Sequence, residues 1–163
     1  MKRSLISTTL LAAGVILVAL VYTRVEFTTT PTPPNFVEPH LRAIQVGGQT
    51  VNVSIADTDA TRQKGLSGRS GLAPNEGMLF IFSQDRKYTF WMKDMKFSID
   101  ILWLEADPSN PSGQATIVSM AQSVSPDTYP RDFLPSRPVR YVLELPAGFA
   151  EQYNVRIGDT VQL

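Results

Sequence analysis

After position 40, apolar and polar residues alternate in short segments of strand length. Residues 44–46 and 51–55 alternate in this way on either side of Gly47-Gly48, which predicts a β-hairpin around a two-residue turn. Other apolar or alternating runs predict strands at residues 78–82, 88–92, 99–104, 115–124, 141–145 and 160–163.

Two short helices are predicted between these strands. Residues 57–59 offer N-cap candidates for a helix that continues to Lys64, and Gly65 can end it with a positive φ. Residues 149–154 are expected to form one or two helical turns. Many short strands with two small helices predict a mainly β fold, either an antiparallel sandwich or a barrel-like sheet.

The first 24 residues follow a different pattern. Lys2 and Arg3 precede an uncharged, mainly apolar run of 18 residues at positions 5–22, which as a helix would be about 27 Å long and close to the thickness of the membrane hydrocarbon. A signal-peptide core has roughly 7–15 residues, and no clear cleavage site follows this run. We therefore expect residues 1–24 to be an uncleaved signal anchor, a membrane helix preceding the β domain, with a cleaved signal as the alternative.

A segment rich in threonine and proline occupies residues 25–40. This composition favours extended conformations and cannot bury a core, so it predicts a tether between the anchor and a β domain at residues 41–163. His40, the only histidine, lies at the end of the tether and is interpreted as a linker residue. The basic residues before the anchor are expected to stay in the cytoplasm, which places the domain on the extracytoplasmic side of the membrane.

Charge and composition exclude several classes of function. Outside the anchor and its flanks, 12 basic residues face 15 acidic ones, and no basic cluster suggests a nucleic acid partner. The chain has no cysteine, so disulfides, thiol nucleophiles and thiolate metal sites are excluded. With its one histidine in the tether, the domain is expected to have neither a Ser-His-Asp triad nor a histidine metal site, and no cofactor is predicted.

Arg62 and Arg69 are the first candidate site residues. A planar guanidinium forms paired hydrogen bonds with a carboxylate, which can belong to the protein or to a ligand. One hypothesis is that Arg62 or Arg69 clamps Asp100 or Glu76 inside the fold. The alternative is that these arginines bind an anionic ligand.

Trp91 and Lys93 are the second pair of candidates. Neighbouring residues on a strand point to opposite faces, so Trp91 shares a side with Lys93 whereas Phe90 shares the other with Met92. We expect Trp91 and Lys93 to be the exposed pair, with the indole stacking on a sugar ring or a cation. The predicted ligand-binding residues are therefore Arg62, Arg69, Trp91, Lys93 and Asp100.

Carboxylates offer an enzymatic alternative. Glu76, Asp94, Asp100 and Glu144 could include the acid pair that glycoside hydrolysis requires. Asp100 and Glu144 each interrupt an apolar strand, and we interpret such residues as solvent-facing or as ion-pair partners.

The same region carries a family resemblance. Its landmarks are Arg62-x-x-Gly65-Leu66-x-x-Arg69-x-x-Leu72, Glu76-Gly77-Met78-Leu79-Phe80, Phe90-Trp91-Met92-Lys93, Ile99-Asp100-Ile101-Leu102, Tyr141-Val142-Leu143-Glu144-Leu145 and Ile157-Gly158-Asp159. From about residue 51 to 163 the chain resembles the domain of unknown function 192 (DUF192) family, whose members are often exported or membrane-tethered. The resemblance implies a compact, mostly β fold and no settled activity.

These observations predict a membrane-tethered extracytoplasmic domain that binds a small anionic or sugar-like ligand in a polar-aromatic cleft. One alternative is a carboxylate-dependent enzyme acting on envelope carbohydrate, and another is a protein-interaction module. A binder should bring an arginine and Trp91 into one concave pocket, whereas an enzyme should present two facing carboxylates and an interaction module an exposed apolar patch.

Overall fold

The computed structural model describes residues 41–107, 109 and 113–163. The predicted anchor at residues 1–24 and tether at residues 25–40 lie outside this part of the chain. None of the helices in the described ranges is long and apolar enough to cross a membrane.

Seven strands and two short helices form the described fold. The strands are β1 (Leu41–Val46), β2 (Gln49–Ala56), β3 (Glu76–Arg86), β4 (Ile99–Ala106), β5 (Gln114–Val124), β6 (Val139–Pro146) and β7 (Thr160–Gln162), and the helices are α1 (Asp59–Lys64) and α2 (Phe149–Gln152). The strands close into a barrel in the order β1-β2-β3-β6-β4-β5-β7, with β7 paired back to β1. The prediction of a mainly β fold with two short helices is confirmed, and of the two architectures predicted the barrel is the one formed.

One strand pair departs from the predicted antiparallel sheet. β2 and β3 are parallel, whereas the other pairs are antiparallel. Parallel neighbours need a long crossover connection, and residues 57–75 supply it. This connection carries α1 and passes over the outside of the barrel, where it forms part of the site described below.

The strand predicted at residues 88–92 is absent. This segment is irregular and makes a single bridge, between Phe90 and Phe133. Its side chains pack against the sheet: the ring of Phe90 meets Phe80 edge-on, with the ring centroids 4.9 Å apart, and also meets Trp103 edge-on. Aromatic residues in this run therefore serve packing rather than strand pairing.

Two apolar layers result from the alternation of side chains along the strands. The barrel interior holds residues from every strand, including Leu79, Leu102 and Leu143. The next positions on β3, β4 and β6 point outward and form a second layer, which includes Phe80, Trp103 and Val142. Two connections cover this outer layer, and each contributes a buried residue, Leu66 and Met92.

Candidate functional site

A cavity of about 270 Å³ lies where the covering connections meet the outer face of β3 and β6. Its apolar wall contains five aromatic residues: Phe80, Phe82, Tyr88, Phe90 and Trp91. Its polar lining comes mainly from α1 and the two connections, with one residue from β6: Arg62, Gln63, Lys64, Ser67, Thr89 and Glu144. A mainly apolar hollow with a few polar groups is the usual form of a small-molecule site.

Stacked and edge-on rings build the aromatic wall. Phe82 and Tyr88 are nearly parallel, with ring centroids 3.5 Å apart, and Phe80 meets Phe90 at right angles. Trp91 lies at the rim and is 55% exposed. The wall therefore combines fixed rings inside the cavity with an open indole face at its mouth.

Gly65 allows the end of α1 to approach this wall. The helix begins at the N-cap Thr58, which forms a capping box with Thr61, and ends at Gly65 with a φ of 47°. A Cβ at Gly65 would lie 3.4 Å from Cζ of Phe80. A side chain there would contact the ring, and the positive φ would strain its backbone.

Arg62 attaches α1 to β3. Its Nη1 donates to the backbone carbonyl of Ile81 at 2.8 Å, its Nη2 pairs with Asp59 at 2.6 Å, and its guanidinium lies 5.4 Å from the centroid of the Phe82 ring. The hypothesis that Arg62 clamps Asp100 or Glu76 is therefore wrong. The backbone carbonyls of Asp57 and Ile81, together with the carboxylate of Asp59, satisfy this side chain.

Asp100 lies on the interior face of the barrel and is fully buried. Its carboxylate accepts hydrogen bonds from the backbone N–H groups of Ser123 at 2.7 Å, Gly148 at 3.2 Å and Ala150 at 2.8 Å. Among the described residues it forms no ion pair, so the predicted arginine clamp and the solvent-facing interpretation are both wrong for Asp100. It fastens α2 to the barrel, and it does not line the cavity.

Glu144 lies on the outward-facing side of β6 and contributes to the lining of the cavity. It is buried, and its Oε2 has no hydrogen-bond partner among the described residues. Burial raises the pKa of Glu144 to about 8, and the positive charge of Arg69 opposes this rise. The interpretation of Glu144 as solvent-facing or ion-paired is therefore wrong, and the carboxyl group is mainly protonated at neutral pH.

Arg69 is close enough to Glu144 to influence its pKa, but it forms no ion pair with it in the described part of the chain. Its Nη2 donates to the hydroxyl of Ser54 at 3.3 Å. Strand register places Ser54 beside Met78, and Met78 beside Glu144, in one row across the sheet. Arg69 lines a neighbouring cavity of about 320 Å³ rather than the aromatic one, and its predicted clamp on Asp100 or Glu76 is also wrong.

Trp91 and Lys93 are both exposed and Met92 is buried, as the alternation predicted. Only Trp91 lines the cavity; the backbone carbonyl of Lys93 accepts a hydrogen bond from Ser67 at 3.0 Å and joins the two covering connections. Of the five predicted residues, the structure brings Arg62 and Trp91 together in one cavity. Arg69 lies outside this cavity but close to Glu144, which lines it.

Glu144 is the residue that sequence reasoning undervalued. The available signal was a single acidic residue in the apolar run at residues 141–145. That signal is ambiguous, because Asp100 sits in an equally apolar run and has a purely structural set of partners. Only the alternation along β6, together with the covering connections, reveals which face Glu144 occupies.

Other reactive groups are scarce in the described residues. Within the described ranges, Glu144 is the only carboxylate residue that lines this cavity, since Glu76, Asp94 and Asp100 lie elsewhere. Glu76 accepts a hydrogen bond from the backbone N–H of Ala73 at 3.0 Å. No group of three or more histidine, cysteine or acidic side chains within the described ranges could hold a metal ion.

Solved structures share this fold. A crystal structure of a candidate transcription regulator from Sinorhizobium meliloti 1021 is 29% identical, with a TM-score of 0.68, and the match covers 78% of this chain and 96% of that one. A protein of unknown function from Novosphingobium aromaticivorans DSM 12444 is 23% identical, also with a TM-score of 0.68, and the match covers 83% of this chain and 94% of that one.

No curated protein matches the chain. The family model of DUF192, described as uncharacterized ACR, matches residues 42–163. This range includes every residue of the aromatic cavity and all of the described strands except Leu41, the first residue of β1. Because the match covers well over half of the sequence, the chain belongs to the DUF192 family.

Proposed function

We propose that this protein is a membrane-tethered extracytoplasmic domain that binds a small sugar-like or anionic molecule in the aromatic cavity. The observation that carries the proposal is Glu144, a buried residue of the cavity lining whose Oε2 has no hydrogen-bond partner in the described part of the chain. A buried polar atom without a partner is costly for a fold, and a ligand that hydrogen bonds to it would offset the cost.

The rest of the lining supports the same class of ligand. Aromatic faces stack on the apolar faces of sugar rings, and Trp91 presents such a face at the mouth. Lys64 adds positive charge on the α1 side, where Arg62 is already paired with Asp59, while Ser67 and Thr89 add hydroxyl groups. Such a lining suits a ligand with a ring and several oxygens better than a purely apolar one.

The enzymatic alternative has less support, and the interaction module is tested below. A glycoside hydrolase of the usual kind needs two carboxyl groups across the sugar bond, and the described lining holds one carboxylate residue, Glu144. An interaction module needs a contiguous apolar surface. The large exposed apolar residues of the described chain are Leu41, Trp91, Tyr129, Leu134 and Ile157. The bridge between Phe90 and Phe133 brings the segments of Trp91 and Leu134 together, so the test below has to decide this alternative.

The location rests on the sequence pattern of the N-terminus. Lys2 and Arg3, the apolar run at residues 5–22 and the threonine- and proline-rich segment support an anchor with a tether. In this arrangement the cavity would bind molecules of the cell envelope or of the medium.

A thermal-shift screen of sugars, uronic acids and small carboxylates tests the binding proposal. A ligand that binds the folded state raises the melting temperature as its concentration exceeds its Kd. We expect the shift to disappear in Trp91→Ala, because the stacking face is lost. Leu134→Ala is the matched control, since Leu134 is also 55% exposed and does not line this cavity.

Two outcomes would reject the proposal. One is a screen that stays flat at millimolar ligand. The other is a set of ligands whose shifts are the same in Trp91→Ala and in Leu134→Ala. Either result would favour the interaction module.

A further inference from the structure

The polar end of the cavity limits which part of a ligand can reach it. Glu144 Oε2 is buried and has no partner among the described residues, and Glu144 lines the cavity together with the aromatic side chains and the polar groups of α1 and the two connections. A ligand that fits this lining therefore needs a polar atom where it meets Glu144 and a flat ring that packs against the aromatic side chains. The following inference rests on the proposed function and specifies the ligand.

The chemistry of Glu144 decides whether that polar atom donates or accepts. A neutral carboxyl group carries one O–H donor, whereas an ionised one carries only acceptors. Burial raises the pKa of Glu144 to about 8, so the neutral form predominates at pH 7. The complementary ligand atom at neutral pH is a hydrogen-bond acceptor.

Charges around Glu144 favour an anionic acceptor. The connection over the sheet contributes Arg69, α1 contributes Arg62 and Lys64, and the second connection contributes the titratable Tyr88. Neighbours on the adjacent strands are Met78 and Ile101, which carry no charge. Asp59 pairs with Arg62 at 2.6 Å and offsets its charge, so the positive charge near a neutral Glu144 comes mainly from Arg69 and Lys64.

We propose that the ligand is a ring-bearing carboxylate of the uronic acid class, which accepts a hydrogen bond from the Glu144 carboxyl group and stacks its ring on the aromatic wall. No covalent bond forms or breaks. The complex retains the proton of Glu144, shared between two carboxyl groups. Ionisation of Glu144 removes the donor and places a negative charge against the ligand.

Calorimetric titration of uronates and their parent sugars tests this assignment. Galacturonate and glucuronate are compared with galactose and glucose at several values between pH 6.5 and 9. We expect the uronates to bind more tightly than the parent sugars at pH 6.5, and their affinity to fall roughly tenfold for each pH unit above about 8. Neutral sugars should show no such fall, because their hydroxyl groups can donate as well as accept.

Two variants separate the role of the Glu144 proton from a merely structural one. In Glu144→Gln the amide donates at every pH, so uronate affinity should become independent of pH. Arg69→Met should move the fall in affinity to higher pH, because the charge that opposes the raised pKa is gone. Arg137→Met is its control, since Arg137 pairs with the distant Glu105 and should leave the pH profile unchanged. The Arg69 comparison keeps the assignment testable if Glu144→Gln does not fold.

The outcomes distinguish this inference from the proposed function. If sugars bind but uronates gain nothing at pH 6.5, or if uronate affinity does not change with pH, the carboxylate assignment is overturned while binding in the cavity stands. If neither sugars nor uronates bind, the proposed function fails and this inference fails with it.

Discussion

Two buried acids, Asp100 and Glu144, lie on the neighbouring strands β4 and β6 and differ in their partners. Asp100 faces the barrel interior, and its carboxylate accepts hydrogen bonds from three backbone N–H groups. Glu144 faces the outer layer, and its Oε2 has no protein partner among the described residues. Asp100 therefore stabilises the fold, whereas Glu144 remains available to a ligand.

Replacement of Asp100 by alanine should strongly destabilise the domain. It would leave buried N–H groups of Ser123, Gly148 and Ala150 without an acceptor, and α2 would lose its attachment to the barrel. We expect the free energy of unfolding to fall by roughly 3 kcal/mol, measured by denaturant titration. The control is Asp132→Ala, at an exposed position. Equal midpoints for the two variants would contradict the anchoring role of Asp100.

Glu144 should make stability depend on pH in the absence of any ligand. Its pKa is about 8 in the folded chain and 4.5 as the reference value, so the folded state holds the proton more tightly. This contribution to stability is fully present below about pH 4.5 and is lost as pH rises through about 8, for a total of roughly 5 kcal/mol.

Denaturant titrations of the wild-type protein between pH 5 and 9 measure this loss, with Glu144→Gln as the comparison. The variant cannot ionise at this position, so its profile should be flatter across the same range. Parallel profiles for the two proteins would mean that Glu144 is already ionised in the folded state at neutral pH.

At the scale of elements, short-range signals were sufficient where the partner lies nearby in the chain. Gly47-Gly48 predicted the β1–β2 hairpin, and residues 57–59 with Gly65 predicted α1. The segment at residues 88–92 has the composition of a strand, yet its one bridging partner is Phe133, distant in sequence. Composition alone does not say whether aromatic side chains pair within a sheet or cover one.

Prediction of the site residues depends in the same way on whether their partners lie nearby in the chain. Strand alternation predicted that Trp91 would be exposed and Met92 buried, and both are confirmed although the segment is not a strand. The partners of Arg62 and Asp100 could not be predicted, because backbone groups supply them and their positions depend on the finished fold. Glu144 was undervalued because its surroundings come from two connections that are remote from β6 in the chain.

Replacement of Gly65 by alanine tests the junction between α1 and the cavity wall. The residue has a positive φ, and an added Cβ would approach the Phe80 ring. We expect a loss of roughly 1–2 kcal/mol in the free energy of unfolding. Gly71→Ala is the matched control, since that glycine lacks a positive φ and has no atom within 4 Å of an added Cβ. If both variants melt at the same temperature, Gly65 is not required for this approach.

For the whole molecule, the closed order of the strands depends on pairings that no local pattern specifies. β3 pairs with β6, and β4 lies between β6 and β5, so the sheet is assembled from distant segments. The parallel pairing of β2 with β3 is the clearest case, because nothing within either strand distinguishes it from an antiparallel arrangement. Sequence indicated the number and type of elements better than their order.

The proposed tether predicts that the two parts of the chain can be separated. A shortened protein beginning at Pro39 should be soluble and keep the melting temperature of the domain, because the preceding segment carries no core residues. The full-length protein should sediment with membranes, as fractionation can show. Full-length protein found in the soluble exported fraction, shortened by about 25 residues, would instead indicate a cleaved signal.

Closure of the barrel depends on a narrow junction between β7 and β1. These strands share one register pair, Gln45 with Gln162, whereas β3 and β6 share several. Partial opening at the sparse junction should occur more often than global unfolding, so its amide hydrogens should exchange fastest among the strands. In the strand order this junction lies across the barrel from β3 and β6, so a bound ligand would slow global unfolding and leave this opening unaffected.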